Sequence, residues 1–187
     1  LATAQKFVDQ GKIRYLGLSN ETPYGLSKYL HLSSTHKFPR VVSVQNPYSL
    51  INRTYEVGMA EMSVREKVGL LAYSPLAFGM LTGKYLNGQM PEGSRLKLYS
   101  KNFPRYQGTR SQLAVEEYYK IAQKYEMSLT QMSLAFVNMQ PFVDSNIIGA
   151  TNMKQLEENI NSIHIDLSDE IVKEINAIHE NNPSPAP

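Results

Sequence analysis

Short β-prone runs alternate with amphipathic helical patterns along the whole of this 187-residue chain. The four runs predicted as strands cover residues 13–18, 41–44, 68–73 and 145–150. Each run is too short to cross a membrane, and the helical segments between them are typical of crossovers that connect parallel strands. The alternation therefore predicts an α/β fold in which helices pack outside one parallel sheet.

Capping signals indicate where several helices begin. The predicted starts are Thr22 with Pro23 at the first helical position, Ser128 with its capping-box partner Gln131, Asn152, and Ser168. A further helix is predicted over residues 53–67. The helix after Asn152 is expected to turn Leu156, Ile160 and Ile163 toward the core, because these residues share one helical face.

Composition excludes several classes of function. The 19 Lys and Arg residues nearly balance the 17 Asp and Glu residues, so the net charge of +2 gives no indication of a nucleic acid or membrane partner. The chain has no cysteine and its four histidines lack metal-ligand spacing, so we expect neither a disulfide nor a metal site. No signal peptide is visible, which favours the cytoplasm and leaves an organelle open. The first residues indicate the end of a helix that stops at Gly11, so we expect the sequence to begin inside a longer protein.

The interval between the third and fourth predicted strands is much longer than the others. It contains a polar loop with glycine and proline over residues 87–108 and then two helices. In α/β enzymes a long loop at the carboxyl end of a strand often carries ligand contacts or forms a lid.

An uncharged loop with a single cation follows the third predicted strand. The sequence VGLLAYSPLAFGMLTGKY at residues 68–85 contains Gly79, Gly83 and Lys84. A nucleotide P-loop is excluded, because three residues rather than four separate the glycines and Tyr85, not Ser or Thr, follows the lysine. The loop is still expected to hold an anion with backbone amides and one positive charge.

Polar and aromatic residues stand at the predicted carboxyl ends of the strands, which form the functional face of a parallel sheet or barrel. Ser19, Asn20 and Gln45 offer hydroxyl and amide groups that suit a carboxamide-bearing ligand, and Tyr73 offers a ring for stacking. The start of the helix after Asn152 offers free amides for a second anion. Together these features indicate a dinucleotide pocket.

Four phrases in order resemble the second half of an aldo-keto reductase: KIRYLGLSN, VVSVQNPYSLINR, GLLAYSPLAFGMLTGKY and IIGATNMKQLEEN. The resemblance covers essentially the whole chain and implies a (β/α)8 TIM barrel. Residues 1–187 would form its C-terminal half, with four parallel strands, outer helices, a long lid loop and a C-terminal helix. The phrases NETPYG and QNPYSLINR and the final PAP are most similar to one bacterial subgroup, and more distantly to the potassium-channel β subunits of the family.

The resemblance also implies contacts with NADP(H). Ser19, Asn20 and Gln45 would hydrogen-bond the nicotinamide carboxamide, and Tyr73 would stack on the nicotinamide ring. The residues that would wrap the pyrophosphate and adenosine phosphates are Ser74, Pro75, Leu76, Ala77, Gly79, Lys84 and, from the long loop, Arg95. The residues that would hold the adenosine end are Gly149, Thr151, Gln155, Glu158 and Asn159.

Two departures from the family pattern affect these expectations. Many members hold the 2′-phosphate with a Lys and an Arg where this sequence has Gly149 and Gln155, so Lys154 or Arg95 would supply that charge. The family's catalytic Asp, Tyr, Lys and His lie on strands that precede this chain, so no catalytic residue is assigned here.

Two functions follow as expectations from the resemblance. The first is reduction of a small aldehyde or ketone by hydride transfer once the missing N-terminal half completes the barrel, with this chain alone inactive. The alternative is a subunit that binds the dinucleotide without turnover, as in the potassium-channel β subunits. A third possibility is a half-barrel that pairs with a second copy of itself; the carbonyl substrate and the oligomeric state stay open.

Simpler structural roles are also open for several residues. Tyr73 could be a core aromatic at a strand end, and Gln45 and Asn46 could cap a turn. Asn52 and Arg53 are interpreted as a helix cap followed by a surface cation. The four histidines are interpreted as solvated residues near helix ends.

Overall fold

A computed structural model describes residues 1–99, 101 and 103–187. Within these residues, four strands form one sheet in chain order: β1 (Leu16–Ser19), β2 (Val41–Pro47), β3 (Gly69–Tyr73) and β4 (Val143–Asn146). All three neighbouring pairs are parallel, so the carboxyl ends of the strands lie along one edge. The predicted α/β architecture is confirmed, and it is consistent with part of a (β/α)8 barrel.

Helices connect the strands and flank the sheet. Their bounds are α1 (Ala2–Asp9), α2 (Pro23–His36), α3 (Met59–Glu66), α4 (Arg95–Tyr99), α5 (Thr109–Lys124), α6 (Leu129–Asn138), α7 (Met153–Asn161) and α8 (Asp169–Asn181). The predicted N-caps Thr22, Ser128, Asn152 and Ser168 each accept a hydrogen bond from a first-turn backbone amide. Ser128 and Gln131 form the full capping box.

The single helix predicted over residues 53–67 is wrong. The segment contains one 3-10 turn at Thr54–Glu56 and then α3, which begins at Met59. Gly58 separates them with a φ of 87°, a conformation that residues with a side chain rarely adopt. A Cβ at this position would also lie 3.2 Å from the ring of Pro23. The glycine therefore redirects the chain rather than continuing a helix.

Two predicted strands are displaced along the sequence. β1 begins three residues later than predicted, and β4 lies over Val143–Asn146 rather than over residues 145–150. The amide of Ile147 still donates to the carbonyl of Ala72, at 2.8 Å, beside the end of β3. Among the described residues, no strand pairs with the β-prone residues beyond that point. The predicted loop over residues 87–108 contains α4 and a 3-10 turn at Pro104–Tyr106, and its positions 100 and 102 lie outside the described residues.

The inner face of α7 also differs from the prediction. Ile160 and Ile163 are 54% and 63% exposed, whereas Asn159 is buried. The Asn159 side chain donates to the carbonyl of Gly149 at 3.2 Å, which holds the turn before the helix. Ile160 on α7 and Ile163 in the turn after it therefore face away from the core of the described residues, whereas Leu156 is half-buried.

The core lies between the sheet and the helices that follow β3. Tyr118 on α5 and Phe136 on α6 are buried, as are Leu70 and Val44 on the strands. Tyr118 donates from its hydroxyl to the carbonyl of Leu50 at 3.1 Å, so α5 is tied to the loop after β2. Tyr118 is therefore a packing residue of the core.

Arg53 is not a surface cation, and that interpretation is wrong. Its side chain is 10% exposed and makes a two-pronged ion pair with Glu56, at 2.6 and 2.8 Å. It also donates to the side chain of Asn176 on α8 at 2.8 Å, and it lies 5.0 Å from the ring centroid of Phe136. Tyr48 donates to the same Glu56 carboxylate at 2.5 Å. We call Tyr48, Arg53, Glu56, Phe136 and Asn176 the Arg53 cluster.

The Arg53 cluster has a fixed charge pattern. Burial raises the pKa of Tyr48 far above its ordinary value, and the charge of Glu56 and its hydrogen bond act in the same direction. Burial lowers the pKa of Arg53, but the hydrogen bond and charge of Glu56 outweigh that effect and raise it overall. Tyr48 therefore stays a neutral donor and Arg53 a cation at physiological pH.

His179 on α8 also differs from the solvated histidine that the sequence suggests. Its Nδ1 is buried without a hydrogen-bond partner among the described residues. Burial lowers its pKa, the charge of Arg53 lowers it further, and Glu56 and Glu180 oppose the shift. The neutral imidazole is therefore favoured in the folded protein.

Acidification is expected to destabilise the protein through His179. Because its folded-state pKa is depressed, the unfolded chain takes up the proton first, and stability is lost as the pH falls below about 6.5. In urea denaturation between about pH 7.5 and 5.5, the free energy of unfolding should fall less in His179→Gln than in the wild type. His31→Gln, at an exposed site on α2, should keep the wild-type slope. Equal slopes for the wild type and His179→Gln would refute the assignment.

The C-terminal segment after α8 lies along the loops at residues 50–53 and 105–111. The amide of Ala186 donates to the carbonyl of Ile51 at 3.0 Å, and the hydroxyl of Ser111 donates to the carbonyl of Pro185 at 3.0 Å. Ala186 is fully buried. The segment therefore joins the loop after β2 to the start of α5. No helix within the described residues has the length and apolar composition to cross a membrane.

Candidate functional site

The carboxyl ends of β1, β2 and β3 bring the first group of predicted contact residues together. Ser19 is the register partner of Gln45, and Pro47 is the partner of Tyr73 on the next strand. The amide of Asn20 donates to the carbonyl of Gln45 at 2.9 Å. This pairing places Ser19, Asn20, Gln45 and Tyr73 along one edge of the sheet, where a parallel α/β fold usually binds its ligand.

Tyr73 reaches across the end of β2 to the turn after β1. Its hydroxyl donates to Oδ1 of Asn20 at 2.6 Å, and Nδ2 of Asn20 approaches the hydroxyl of Ser19 at 3.2 Å. Asn20 and Ser74 have left-handed backbones, with φ of 54° each. A left-handed residue turns the chain sharply at the strand end, and Asn adopts this conformation more readily than most residues. Tyr73 is therefore hydrogen-bonded at the sheet edge and is not a buried core aromatic.

Asn46 has a structural role beside this group. Its side chain accepts from the amide of Glu21 at 2.9 Å and donates to the carbonyl of the same residue at 2.8 Å. These two bonds fix the loop between β1 and α2 against β2. The open interpretation of Asn46 as a turn-stabilising residue is therefore confirmed, whereas Gln45 contributes a half-buried side chain to the ligand-facing edge.

The loop after β3 has an unusual backbone. Ser74, Ala77, Phe78 and Gly79 all have positive φ, and the last three are consecutive. Non-glycine residues in this region carry conformational strain, and such strain often occurs at ligand sites. A Cβ on Gly79 would lie 2.9 Å from Cε and 3.0 Å from Nζ of Lys84. The glycine thus lets the loop fold back so that its single cation lies against its own backbone.

Arg95 lies beside an aromatic group that the sequence alone did not identify. Its guanidinium is 5.0 Å from the ring centroid of Phe78, and Phe78 in turn packs on Phe103 and Tyr106. Burial raises the pKa of Tyr106, while Arg105 and a hydrogen bond with Ser74 act against the shift. Phe103 and Tyr106, within the loop predicted over residues 87–108, are the signal that could have indicated this packing. They connect Arg95 to the loop that follows Tyr73.

The second predicted phosphate site lies between β4 and α7. The amide and hydroxyl of Thr151 both donate to Oε1 of Gln155, each at 2.9 Å. The side chain of Asn152 accepts from the amide of Gln155 at 2.9 Å. Glu158 accepts from the hydroxyl of Ser128 at 2.5 Å, so it ties α7 to the start of α6. Two amides at this helix start therefore already have partners within the chain.

The turn before α7 is open to a ligand at Gly149. No heavy atom lies within 4 Å of the position that a Cβ on Gly149 would occupy. Gly149, Thr151 and Gln155 are exposed, and Lys154 is exposed beside them. A ligand can therefore approach the backbone of this turn. The buried side chain of Asn159 holds the turn through its hydrogen bond to the carbonyl of Gly149.

A cavity of about 170 Å³ lies apart from both groups, between the loop after β3 and α5. Met80, Tyr85, Leu96, Val115 and Glu116 are among the residues that line it. None of the predicted dinucleotide contacts is among its lining residues. Among the described residues, no cluster of His, Cys, Asp and Glu has a metal-binding arrangement.

The chain is similar in sequence to several known proteins. The chain is 54% identical over 177 residues to Protein tas of Escherichia coli (strain K12), a match that covers 95% of the chain and 51% of that protein. It is 39% identical over 186 residues to an aldo-keto reductase of Babesia bovis, covering 96% and 65%. It is 31% identical over 183 residues to a putative voltage-gated potassium channel subunit beta of Schizosaccharomyces pombe, covering 92% and 52%.

The chain thus spans about half the length of the tas protein and of the channel subunit. The bacterial subgroup and the distant channel subunits indicated by the sequence phrases are both found among its relatives. The sequence model of the Aldo/keto reductase family matches residues 1–180. The chain belongs to the aldo/keto reductase family.

Proposed function

We propose that this chain is the cofactor-binding, C-terminal half of an NADP(H)-dependent oxidoreductase that reduces aldehydes or ketones. The observation that carries the proposal is the edge formed by Ser19, Asn20, Gln45 and Tyr73, where amide and hydroxyl groups surround an aromatic ring. A carboxamide needs both donors and acceptors, and a flat aromatic cofactor needs a stacking surface. Membership of the family supports an oxidoreductase.

The residues around the edge suit the remaining parts of a dinucleotide. The loop over residues 74–79 would surround a pyrophosphate, and Lys84 would add one positive charge. Gly149, Thr151 and Gln155 would accommodate the adenosine end at the open turn before α7, with Glu158 and Asn159 bracing that turn. When bound there, NADPH would supply a hydride, and the role of this chain would be to hold and orient the cofactor.

The catalytic proton donor would come from an N-terminal half that completes the barrel. Two features support such a half. The sheet ends at β1 and β4 within the described residues, and a four-stranded sheet cannot close into a barrel alone. Ile160 on α7 and Ile163 in the turn after it leave apolar surface exposed, as expected for a segment that packs on a further element. We further propose that the complete protein acts in the cytoplasm and that this half alone is inactive.

The proposal is tested by titrating the complete protein that contains residues 1–187 with NADPH and with NADH, following quenching of tyrosine fluorescence. Saturable binding with a preference for NADPH, and oxidation of NADPH in the presence of an aldehyde or ketone, are the expected results. Absence of saturable binding to either nucleotide in a folded protein would overturn the proposal.

Arg95→Ala is expected to weaken NADPH binding by about tenfold, because a charge-assisted bond to the 2′-phosphate would be lost. Binding of NADH, which lacks that phosphate, should change little. The control is Lys97→Ala, two residues away on α4, where the lysine pairs with Glu92. Equal losses of affinity for NADPH and NADH in Arg95→Ala would contradict the role of Arg95. If Lys154→Ala instead loses affinity for NADPH alone, Lys154 is the residue that contacts the 2′-phosphate.

A second candidate is a subunit that senses the dinucleotide without turnover. Its support is the 31% identity to the putative channel subunit of Schizosaccharomyces pombe. Binding of NADPH without oxidation by any of a broad panel of aldehydes and ketones would favour this candidate over the enzyme.

A further inference from the structure

We propose that the Tyr73 hydroxyl orients the Asn20 side-chain amide, so that the site presents a fixed N–H donor to the carbonyl of the cofactor carboxamide. This inference rests on the proposed function and goes beyond ring stacking, because it gives the hydroxyl of Tyr73 a separate role. Tyr73 is in this respect a positioning residue that acts through Asn20.

The hydrogen-bond pattern around Asn20 carries the inference. Oδ1 accepts from the hydroxyl of Tyr73 at 2.6 Å, so the amide presents its oxygen to Tyr73. Nδ2 has two hydrogens and approaches the hydroxyl of Ser19 at 3.2 Å. One N–H of the amide therefore stays available to a ligand at the strand edge. Since an amide has one acceptor end and one donor end, a bond at the first end sets the direction of the second.

The backbone of Asn20 is fixed, but its side chain depends on hydrogen bonds for a fixed orientation. Asn20 is exposed, so packing does not hold its side chain in one rotamer. Its main chain is fixed by the left-handed φ of 54° and by the bond from its amide to the carbonyl of Gln45. Among the described residues, the bonds to Tyr73 and Ser19 are the ones that orient the exposed amide.

The position of Tyr73 explains why a ring on β3 can reach a residue that follows β1. Pro47 of β2 pairs with Tyr73, and Gln45 pairs with Ser19, so the ring crosses the end of the intervening strand. One side chain would then serve two tasks, a stacking face for the nicotinamide ring and an anchor for the amide that binds its substituent. Phenylalanine at this position could perform only the first task.

The test is a double-mutant cycle between Tyr73→Phe and Asn20→Ala in the complete protein. Binding of NADPH should weaken by about three- to tenfold in Tyr73→Phe, the effect of one partly exposed hydrogen bond. In the Asn20→Ala background, Tyr73→Phe should have no further effect, because the hydroxyl would have nothing left to orient. Additive losses in the double variant would overturn the inference.

A second readout separates orientation from general damage to the site. The thionicotinamide analogue of NADPH carries a C=S group, which accepts a hydrogen bond less well than C=O. The wild type should discriminate between the natural cofactor and the analogue, and Tyr73→Phe should reduce that discrimination. Unchanged discrimination in Tyr73→Phe would count against a role for the hydroxyl in orienting a donor.

Two controls make the outcome interpretable. Tyr24→Phe removes the hydroxyl of a tyrosine that is 78% exposed on α2, and it should leave the affinity unchanged. Thermal unfolding of each variant checks that the fold is intact. If the wild type itself shows no saturable binding of NADPH, the proposed function fails; if the wild type binds but the cycle is additive, only the role of the Tyr73 hydroxyl fails.

Discussion

Replacing Arg53 with methionine is expected to lower the free energy of unfolding by about 2 to 4 kcal/mol. The substitution keeps an unbranched apolar chain over Phe136 but removes the positive charge that Glu56 and Asn176 contact. Glu56 would then retain a partly buried carboxylate without its cation. Because its side chain is 28% exposed, water would compensate in part, and the loss should fall below that of a fully buried pair.

Urea denaturation of the complete protein measures the effect. Arg65→Met is the matched control, since Arg65 pairs with Glu61 on α3 while its side chain is 75% exposed. That change should cost no more than about 0.5 kcal/mol. Adding Glu56→Gln to Arg53→Met should restore part of the stability, because it removes the uncompensated charge. A loss in Arg53→Met no larger than in Arg65→Met would show that the Arg53 cluster contributes little.

Replacing Tyr73 with alanine is expected to weaken NADPH binding by roughly 10- to 100-fold. The change removes the stacking surface and also the hydroxyl that holds Asn20, so its effect should exceed that of Tyr73→Phe. Stability should change less than affinity, because Tyr73 is only half-buried and stands at the end of β3. The two quantities are measured by fluorescence titration and urea denaturation of the same preparations.

Tyr24→Ala is the control, because it removes an aromatic ring that is 78% exposed on α2 and is not among the predicted contact residues. Its affinity for NADPH should equal that of the wild type. If Tyr73→Ala binds NADPH as tightly as the wild type, the strand edge does not receive the nicotinamide ring, and the dinucleotide must be sought elsewhere on the chain.

Local chemistry made much of the fold predictable. Thr22, Ser128, Asn152 and Ser168 cap helices at the positions that their side chains indicate, because a cap depends only on amides within the next turn. The strand before Tyr73 was also predictable, since an apolar run ends there at Ser74 and Pro75. The order of β1, β2 and β3 follows from parallel crossovers of ordinary length.

Features set by distant parts of the chain were less predictable. The extent of β4 depends on where β3 offers a partner, which the residues of 145–150 do not encode. Arg53 looks like a surface cation in sequence, since its partner Asn176 is 123 residues away. Gly58 is a local signal that breaks the helix between the turn at Thr54–Glu56 and α3. Its neighbours are nevertheless compatible with a continuous helix, which is why the sequence favours one.

The residues of the candidate site were predicted mainly from the resemblance of four sequence phrases to the aldo-keto reductases. The structure adds the hydrogen bonds and packing contacts between these residues. Sequence placed Asn20 and Tyr73 at separate strand ends, and the hydrogen bond between them requires the ring to span β2. The packing of Arg95 on Phe78 could not be read from spacing, because it depends on consecutive positive φ values in the loop after β3. The ligand contacts themselves stay predictions.

The docked C-terminal segment imposes an order on folding during synthesis. The amide of Arg53 donates to the hydroxyl of Ser184, 131 residues later in the chain, and Arg53 also requires Asn176. At about 5 to 20 residues per second, the ribosome needs roughly 7 to 26 s to make that interval. During this time Arg53 is present without Asn176 on α8 and without Ser184. The contacts of the loop after β2 are therefore completed only once residue 184 has been made.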